Sequence, residues 1–551
     1  MSLNPQPIPE VPTETYRIAH AAFPKGTLCM TIRDQIGIVY RDEQFQDLFA
    51  NRGQPAQSPW QLALVCILQF VENLSDRQAA NAVRARIDWK YLLGLELEDS
   101  GFHYSVLSEF RQRLLEGGLE HLLLDTLLEH LKEQRLLKTR GKQRTDSTLV
   151  LAAIWALNRL ECVGETMRHI LNVLAVVAPE WLLNHHQPAW VDRYGPRVDD
   201  YRLPEGKQDR ITYAEVIGTD GQYLLTALDA PDTPDWLRQL PAVVILRQVW
   251  EQNYHFTEKQ LRWRSSKEIP PSSEYINSPY DPEARYSQKH TKTWVGYKVH
   301  LTETCEPDSP HLITHVETTN ATLADDETLT PIHDDLETKT LLPATHLVDA
   351  GYVTALRLVE SQEQYHVDLY GPARANYHWQ AREATGFSVQ DFSVDWELQQ
   401  ATCPAGQTSR SWTPALDNRG RDVIKIKFSA KDCRPCPSRP LCTRAKTNRR
   451  TLSIRPDKQY QALQAARARH QTEAFVEQYA QRAGVEGTIS QGVRAFDLRR
   501  SRYLGLAKTH LQHILIATGM NLVRVADWLN ERPRAKTHLS PYVKLCRAIA
   551  A

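Results

Sequence analysis

Three short stretches hold the acids whose type and spacing could do chemistry: Arg144-Thr145-Asp146-Ser147-Thr148, Leu347-Val348-Asp349-Ala350-Gly351-Tyr352 and Val485-Glu486-Gly487-Thr488. Each Asp ends an apolar, strand-like run, and Glu486 stands near the start of a helix far downstream. Cleavage of a phosphodiester by water or by a 3′-hydroxyl calls for two Mg²⁺ (or Mn²⁺) ions about 4 Å apart. One activates the nucleophile and the other stabilises the leaving oxygen. Such hard ions take carboxylate oxygens and keep several waters, so two or three convergent acids on rigid elements suffice. Taken singly, each acid is better explained as a cap, a turn residue or a surface acid. Their joint context carries the expectation.

The elements around them follow from periodicity. From about Gln44 to Lys138, apolar residues recur at helical spacing with few breakers, which predicts an all-α region. Within it, Ser75 is a good N-cap for a helix carrying Arg77, Arg84 and Arg86 among short side chains, and Ser105–Arg113 repeats that pattern. Both suit helices that meet DNA; an amphipathic bundle with Arg in solvent is the plainer alternative. After Asp146 a helix is expected from about Leu149 to Leu183, then a Pro-rich charged stretch, then a helix near Trp236–Trp263. Strands follow at Trp294–Leu301 and His311–Thr318 as a hairpin, then a helix over about Asp326–Leu336. A short strand ends at Asp349, and a helix and the strand Val367–Tyr370 come next. Hairpin, helix, strand, helix, strand describes a mixed α/β sheet. Asp325 and Asp326 read as the acidic first turn of their helix, and His300 and His346 as satisfied sheet residues.

Formal net charge is zero, which alone argues against a nucleic-acid partner. The charges are segregated, however: Lys425, Lys427, Lys431, Arg434, Arg439, Arg444, Lys446, Arg449 and Arg450 cluster against few acids, so a basic face can exist on a neutral chain. Cysteines number nine, an odd count, and Cys29, Cys66, Cys162, Cys305 and Cys546 stand in apolar or mixed contexts, so a disulfide framework is not expected. No apolar run approaches the roughly 20 residues that span a bilayer, and the first residues lack a signal-peptide pattern. A cytoplasmic protein without membrane contact is expected.

Five blocks in order carry a resemblance: Arg144–Thr148; Asp281-Pro282-Glu283-Ala284-Arg285-Tyr286; Val295–His300; Asp349-Ala350-Gly351-Tyr352; and Glu486-Gly487-Thr488 followed by Arg502-Tyr503-Leu504-Gly505-Leu506. Together they resemble DDE transposases of bacterial insertion sequences, specifically the 1182 family. The resemblance implies an RNase H-like catalytic domain, a helical DNA-binding N-terminal domain, and cleavage and joining at element ends. It assigns Asp146, Asp349 and Glu486 as the metal-binding triad. Related transposases carry a Tyr, Arg, Glu, Lys signature, matched by Tyr479, Arg482 and Glu486. Val493 replaces the Lys and Arg494 lies one place on; an Arg can grip phosphate through two donors. The block does not give Asp281 and Arg285 a role; a structural ion pair or a DNA contact would each fit.

Cys403, Cys433, Cys436 and Cys442 form a four-thiolate set in which Cys433 and Cys436 have zinc-knuckle spacing, so a structural Zn²⁺ is expected, with reduced structural thiols as the alternative. The expected organisation is a helical DNA-binding region over 1–138 and an RNase H-like domain beginning at 139–371, with a helical insertion at about 150–265. A basic, Cys-containing β-rich insertion covers 372–456, helices that carry Glu486 cover 457–530, and a tail covers 531–551. Arg77, Arg84, Tyr479, Arg482, Arg494 and Arg502 are the expected DNA contacts. Terminal inverted repeats and target DNA are the expected partners, with a homo-oligomer in the synaptic complex. Two rivals share the same acids: an RNase H-like nuclease without strand transfer, and a catalytically silent DNA-binding descendant.

Overall fold

The computed structural model describes residues 1–257, 260–376, 378–382, 386–446, 449–533, 541–542 and 545–546; most of the expected tail lies outside them. At its centre is a six-stranded sheet. Its first strand, β1 (Lys142–Leu151), pairs antiparallel with β3 (Lys292–Thr304), and β3 pairs antiparallel on its other edge with β2 (Arg285–Lys289) and β4 (Ile313–Asn320). On the opposite side β1 pairs parallel with β5 (Thr345–Leu347), which pairs parallel with β6 (Asp368–Tyr370). Four strands in antiparallel pairs followed by two parallel ones, flanked by helices, make an RNase H-like core. The hairpin, helix, strand, helix, strand order expected from the sequence is present.

The N-terminal region is helical, with α1 (Pro59–Val71) almost wholly buried and α2 (Asp76–Ala85) capped by Ser75, whose Oγ accepts from the Gln78 N–H. The last long helix, Leu506–Leu529, packs on α1 and on β4, so one apolar core runs from the N-terminal helices into the sheet. At its start the Arg502 guanidinium lies over Phe70 and donates to the Leu74 carbonyl and to Asn73. That residue therefore ties the two regions together.

Two expectations change after Asp146. The acid lies mid-strand rather than at a strand end, because β1 continues to Leu151; the following helix begins only at Arg159, capped by Asn158. The stretch read as Pro-rich and charged contains a 23-residue helix, Lys207–Asp229, and the expected helix near Trp236–Trp263 stops at Asn253 before a short hairpin. Gly218 and Gly221 hide that long helix from propensity. A Cβ on Gly218 would run into Leu261 and Tyr254, and one on Gly221 into the Trp250 indole. This helical insertion has its own apolar core. The later insertion is built on a three-stranded sheet of Ser411–Leu416, Asp422–Lys427 and Thr451–Ile454, with Ile426 and Phe428 in its core.

Candidate active site

Register brings the two Asp together. In the parallel pair, Arg144 of β1 lies beside Leu347 of β5. Two residues further along each chain come Asp146, still inside β1, and Asp349, just past the end of β5 and near enough that its charge acts on the Asp146 carboxyl. Side chains two apart on a strand share a face, so Arg144, Asp146 and Thr148 project together. The helix Gly484–Ala495 covers that face and carries Glu486 in its first turn.

A buried charge network holds this helix to the sheet. Glu303, the antiparallel partner of Arg144, is wholly buried and accepts from Arg144 Nε at 2.7 Å, from Arg524 Nη1 at 2.8 Å and from Thr488 Oγ1 at 2.6 Å. Burial pushes the Glu303 carboxyl up, but Arg524, Arg144 and Thr488 outweigh it and hold it below the usual carboxylate range. Arg144 also donates to the Gln481 carbonyl at 2.5 Å, and a Cβ on Gly484 would fall inside the Arg144 guanidinium. Thr488 lies half a turn past Glu486, so the network fixes the segment that presents that acid.

Among the acids stands a cation. Arg482 Nη2 lies 2.6 Å from Asp146 Oδ2, and Nη1 lies 3.4 Å from Glu486 Oε1. Asp146 also accepts from the Ser147 N–H, and is 9% exposed; Glu486, with a 67% exposed side chain, faces solvent. Burial raises the Asp146 pKa; Arg482 and the Ser147 N–H oppose the rise, and neighbouring Asp349 adds to it. The Gly351 N–H donates to Asp349 Oδ1 at 2.6 Å. A cleft of about 380 Å³ beside Asp146 and Glu486 is lined by Val493, Arg494 and Arg499, and Val493 also packs against the core. Arg499 is anchored by its Nε on Thr148 Oγ1.

The donors suit a hard divalent cation. Asp146 on β1 and Asp349 just after β5 offer neighbouring carboxylates, and Arg482 Nε is buried without a hydrogen-bond acceptor, so its fit between the acids is incomplete. Glu486 is held apart by Arg482. Among the described residues no group of three or more His, Cys, Asp or Glu is arranged to hold a metal ion in this conformation.

The remaining expected residues fall elsewhere. Arg77 and Arg84 are exposed on α2, Arg77 over the Tyr104 ring and Arg84 donating to the Ser100 carbonyl. Arg86 ends that helix in ion pairs with Glu72 and Asp88. Tyr479 stacks on Phe475 next to Tyr370. Asp281 and Arg285 do not pair. Asp281 is buried and accepts from the Tyr297 hydroxyl at 2.6 Å and the Gly505 N–H, while Arg285 donates to the Ser273 and Pro282 carbonyls.

Cys403, Cys433, Cys436 and Cys442 gather beside the core of the later insertion. Burial, then repulsion from the other three thiols, pushes the Cys442 thiol up to about 11, with Arg450 opposing. They sense one another without being arranged as ligands, and Cys403, Cys433 and Cys442 pack as small apolar groups against that core. The geometry gives zinc no support.

Sequence reasoning assigned Asp325 only to the first turn of a helix. It does open a helical turn, Asp325–Thr328, as expected, but its carboxylate also meets Lys298 Nζ at 2.9 Å and approaches Ser147 Oγ beside Asp146. The sequence signal that could have pointed to this is Lys298 on β3, the antiparallel neighbour of β1.

Family models match two parts of the chain: residues 18–113 as a Transposase domain (DUF772) and residues 402–526 as a Transposase DDE domain. The two matches mark a DDE transposase of insertion-sequence type. In this transposase the second match takes in Glu486 and its helix, and the first takes in α1 and α2. No curated protein matches the sequence. No helix among the described residues is long and apolar enough to cross a membrane.

Proposed function

We propose that this transposase binds the terminal inverted repeats of its own element, cleaves there in a divalent-metal-dependent reaction, and transfers the 3′-hydroxyl ends to target DNA. Asp146, Asp349 and Glu486 are the metal-binding triad of this reading. Its single strongest support is the register that brings Asp146 of β1 near Asp349, two residues past the end of the neighbouring parallel strand β5, beside the helix that carries Glu486. Bound there, two Mg²⁺ or Mn²⁺ ions would supply Lewis-acid activation of the attacking oxygen and stabilisation of the leaving one.

The chain's own side chains do the rest. Arg494 and Arg499 line the cleft beside Asp146 and bind the phosphates that flank the scissile one. Arg482 leaves Asp146 for a DNA phosphate, which frees the acids and adds a bidentate contact. Arg77 and Arg84 on α2 contact duplex DNA, with 1–138 as the DNA-binding region and the basic 372–456 insertion following the backbone. Two ends must meet, so a homo-oligomer forms the synaptic complex. Membership in the 1182 family fits the pair of matched domains.

Incubating the protein and Mg²⁺ with a linear fragment that ends in the element's terminal repeat and a target plasmid tests this. Joined products support a transposase, and cutting without joining points to a nuclease. Binding without either points to a silent descendant.

A further inference from the structure

Asp325 lies close to Asp349. The two acids come from different elements and meet across Gly351: a Cβ on that glycine would lie 2.8 Å from Asp349 Oδ1 and 3.1 Å from Asp325 Oδ2. Gly351 is not at positive φ, so the glycine is not there for its backbone freedom. It keeps open a space that both carboxylates face. Asp325 Oδ1 is held at 2.9 Å by Lys298 Nζ, which also donates to the Leu323 carbonyl, and Ser147 Oγ lies 3.5 Å from Asp325 Oδ2. Both members of the ion pair are largely buried, at 18% and 16% exposure. A pair so placed recovers little of its desolvation cost, and apolar residues would serve the fold as well. Beyond its long contact with Ser147 Oγ, Asp325 Oδ2 faces the space that Gly351 leaves beside Asp349.

We propose that Asp325 is a positioning residue of the metal site, orienting the water shell of the ion that Asp349 would hold, while Lys298 fixes the carboxylate and offsets its charge. This rests on the reading of Asp146, Asp349 and Glu486 as metal ligands. Mg²⁺ and Mn²⁺ sites with few protein ligands depend on acceptors for their remaining waters. Loss of such an outer partner weakens metal binding about 10- to 100-fold.

The test is a Mn²⁺ titration of the full-length, DNA-free protein, followed by the electron paramagnetic resonance signal of free Mn²⁺, with thermal unfolding of each variant alongside. Asp349→Asn must weaken binding; if it does not, the metal reading itself falls. With that control in hand, Asp325→Asn is expected to weaken Mn²⁺ binding by about tenfold. Lys298→Gln, which leaves the carboxylate without its counter-charge, is expected to tighten it. A lower melting temperature for Asp325→Asn with unchanged Mn²⁺ affinity makes the pair purely structural and overturns the proposal. Where Asp325→Asn does not fold, Lys298→Gln decides: unchanged or weaker Mn²⁺ binding overturns it.

Discussion

The Arg482 guanidinium lies 2.6 Å from the Asp146 carboxylate, so the protein's own cation stands where the acids converge. Free of DNA, the cleft is a competition between that arginine and a divalent ion for the same oxygens. Arg482 itself comes from the 3₁₀ turn Gln481–Ala483 just ahead of the Glu486 helix, and its reach to both acids follows from that position.

Arg482→Gln removes the competitor. In DNA-free protein at pH 8 the variant should bind Mn²⁺ more tightly than wild type, measured by titration. Arg482 also opposes the rise of the Asp146 pKa, so without it the proton competes at higher pH. The gain in affinity should therefore shrink as pH falls toward 6. Weaker binding at pH 8 would show that Arg482 organises the acids rather than blocking them.

Glu303→Gln leaves Arg144 and Arg524 buried without their counter-charge. Breaking one side of a buried ion pair costs about 3–5 kcal/mol. Urea unfolding should show a loss of that order, and metal-dependent cleavage should fall with it because the Glu486 helix loses its anchor at Thr488.

Gly484→Ala probes the same joint more finely. The added methyl would overlap the Arg144 guanidinium, which Glu303 and the Gln481 carbonyl prevent from yielding. Overpacking of this kind costs about 1–3 kcal/mol. DNA binding measured by gel shift should survive, whereas cleavage should drop, since only the position of Glu486 changes.

Acid should unfold this protein earlier than carboxylate titration alone predicts. Burial depresses His300 and His333 to about 4, and His510 and His513 to about 3. Unfolded, each titrates near 6.5. The unfolded chain thus binds more protons below about pH 6.5, and the stability these groups contribute, complete above that pH, is lost as pH falls toward 3–4. His315 works the other way: its carboxylate neighbours Asp335 and Glu317 outweigh burial and raise its pKa, so it adds stability at low pH. Burial also lowers His346, His121 and His169, so the lowered histidines outnumber His315, and urea midpoints should fall steadily from pH 7 to pH 4.5; a flat profile would contradict these assignments.

Much of the core was legible in sequence because its signals are local. Ser75 announces α2, alternation marks β3 and β4, and the blocks around Asp146, Asp349 and Glu486 stand in the order the sheet uses them. What escaped was long-range. The Arg144 to Glu303 pairing is a matter of antiparallel register, and Asp325 meets Asp349 only because Gly351 leaves room. The Lys207–Asp229 helix was masked by glycines that a distant tryptophan and a leucine require. For the four cysteines, spacing along the chain suggested zinc, and among the described residues no ligand arrangement supports it.

The most direct test of the central claim compares Asp146→Asn, Asp349→Asn and Glu486→Gln with wild type in one assay, using terminal-repeat DNA, a target plasmid and Mg²⁺. Each variant should still shift the repeat DNA in a gel while losing both cleavage and joining. Cleavage or joining by any of the three at the wild-type rate would contradict the assignment of these acids as the catalytic triad.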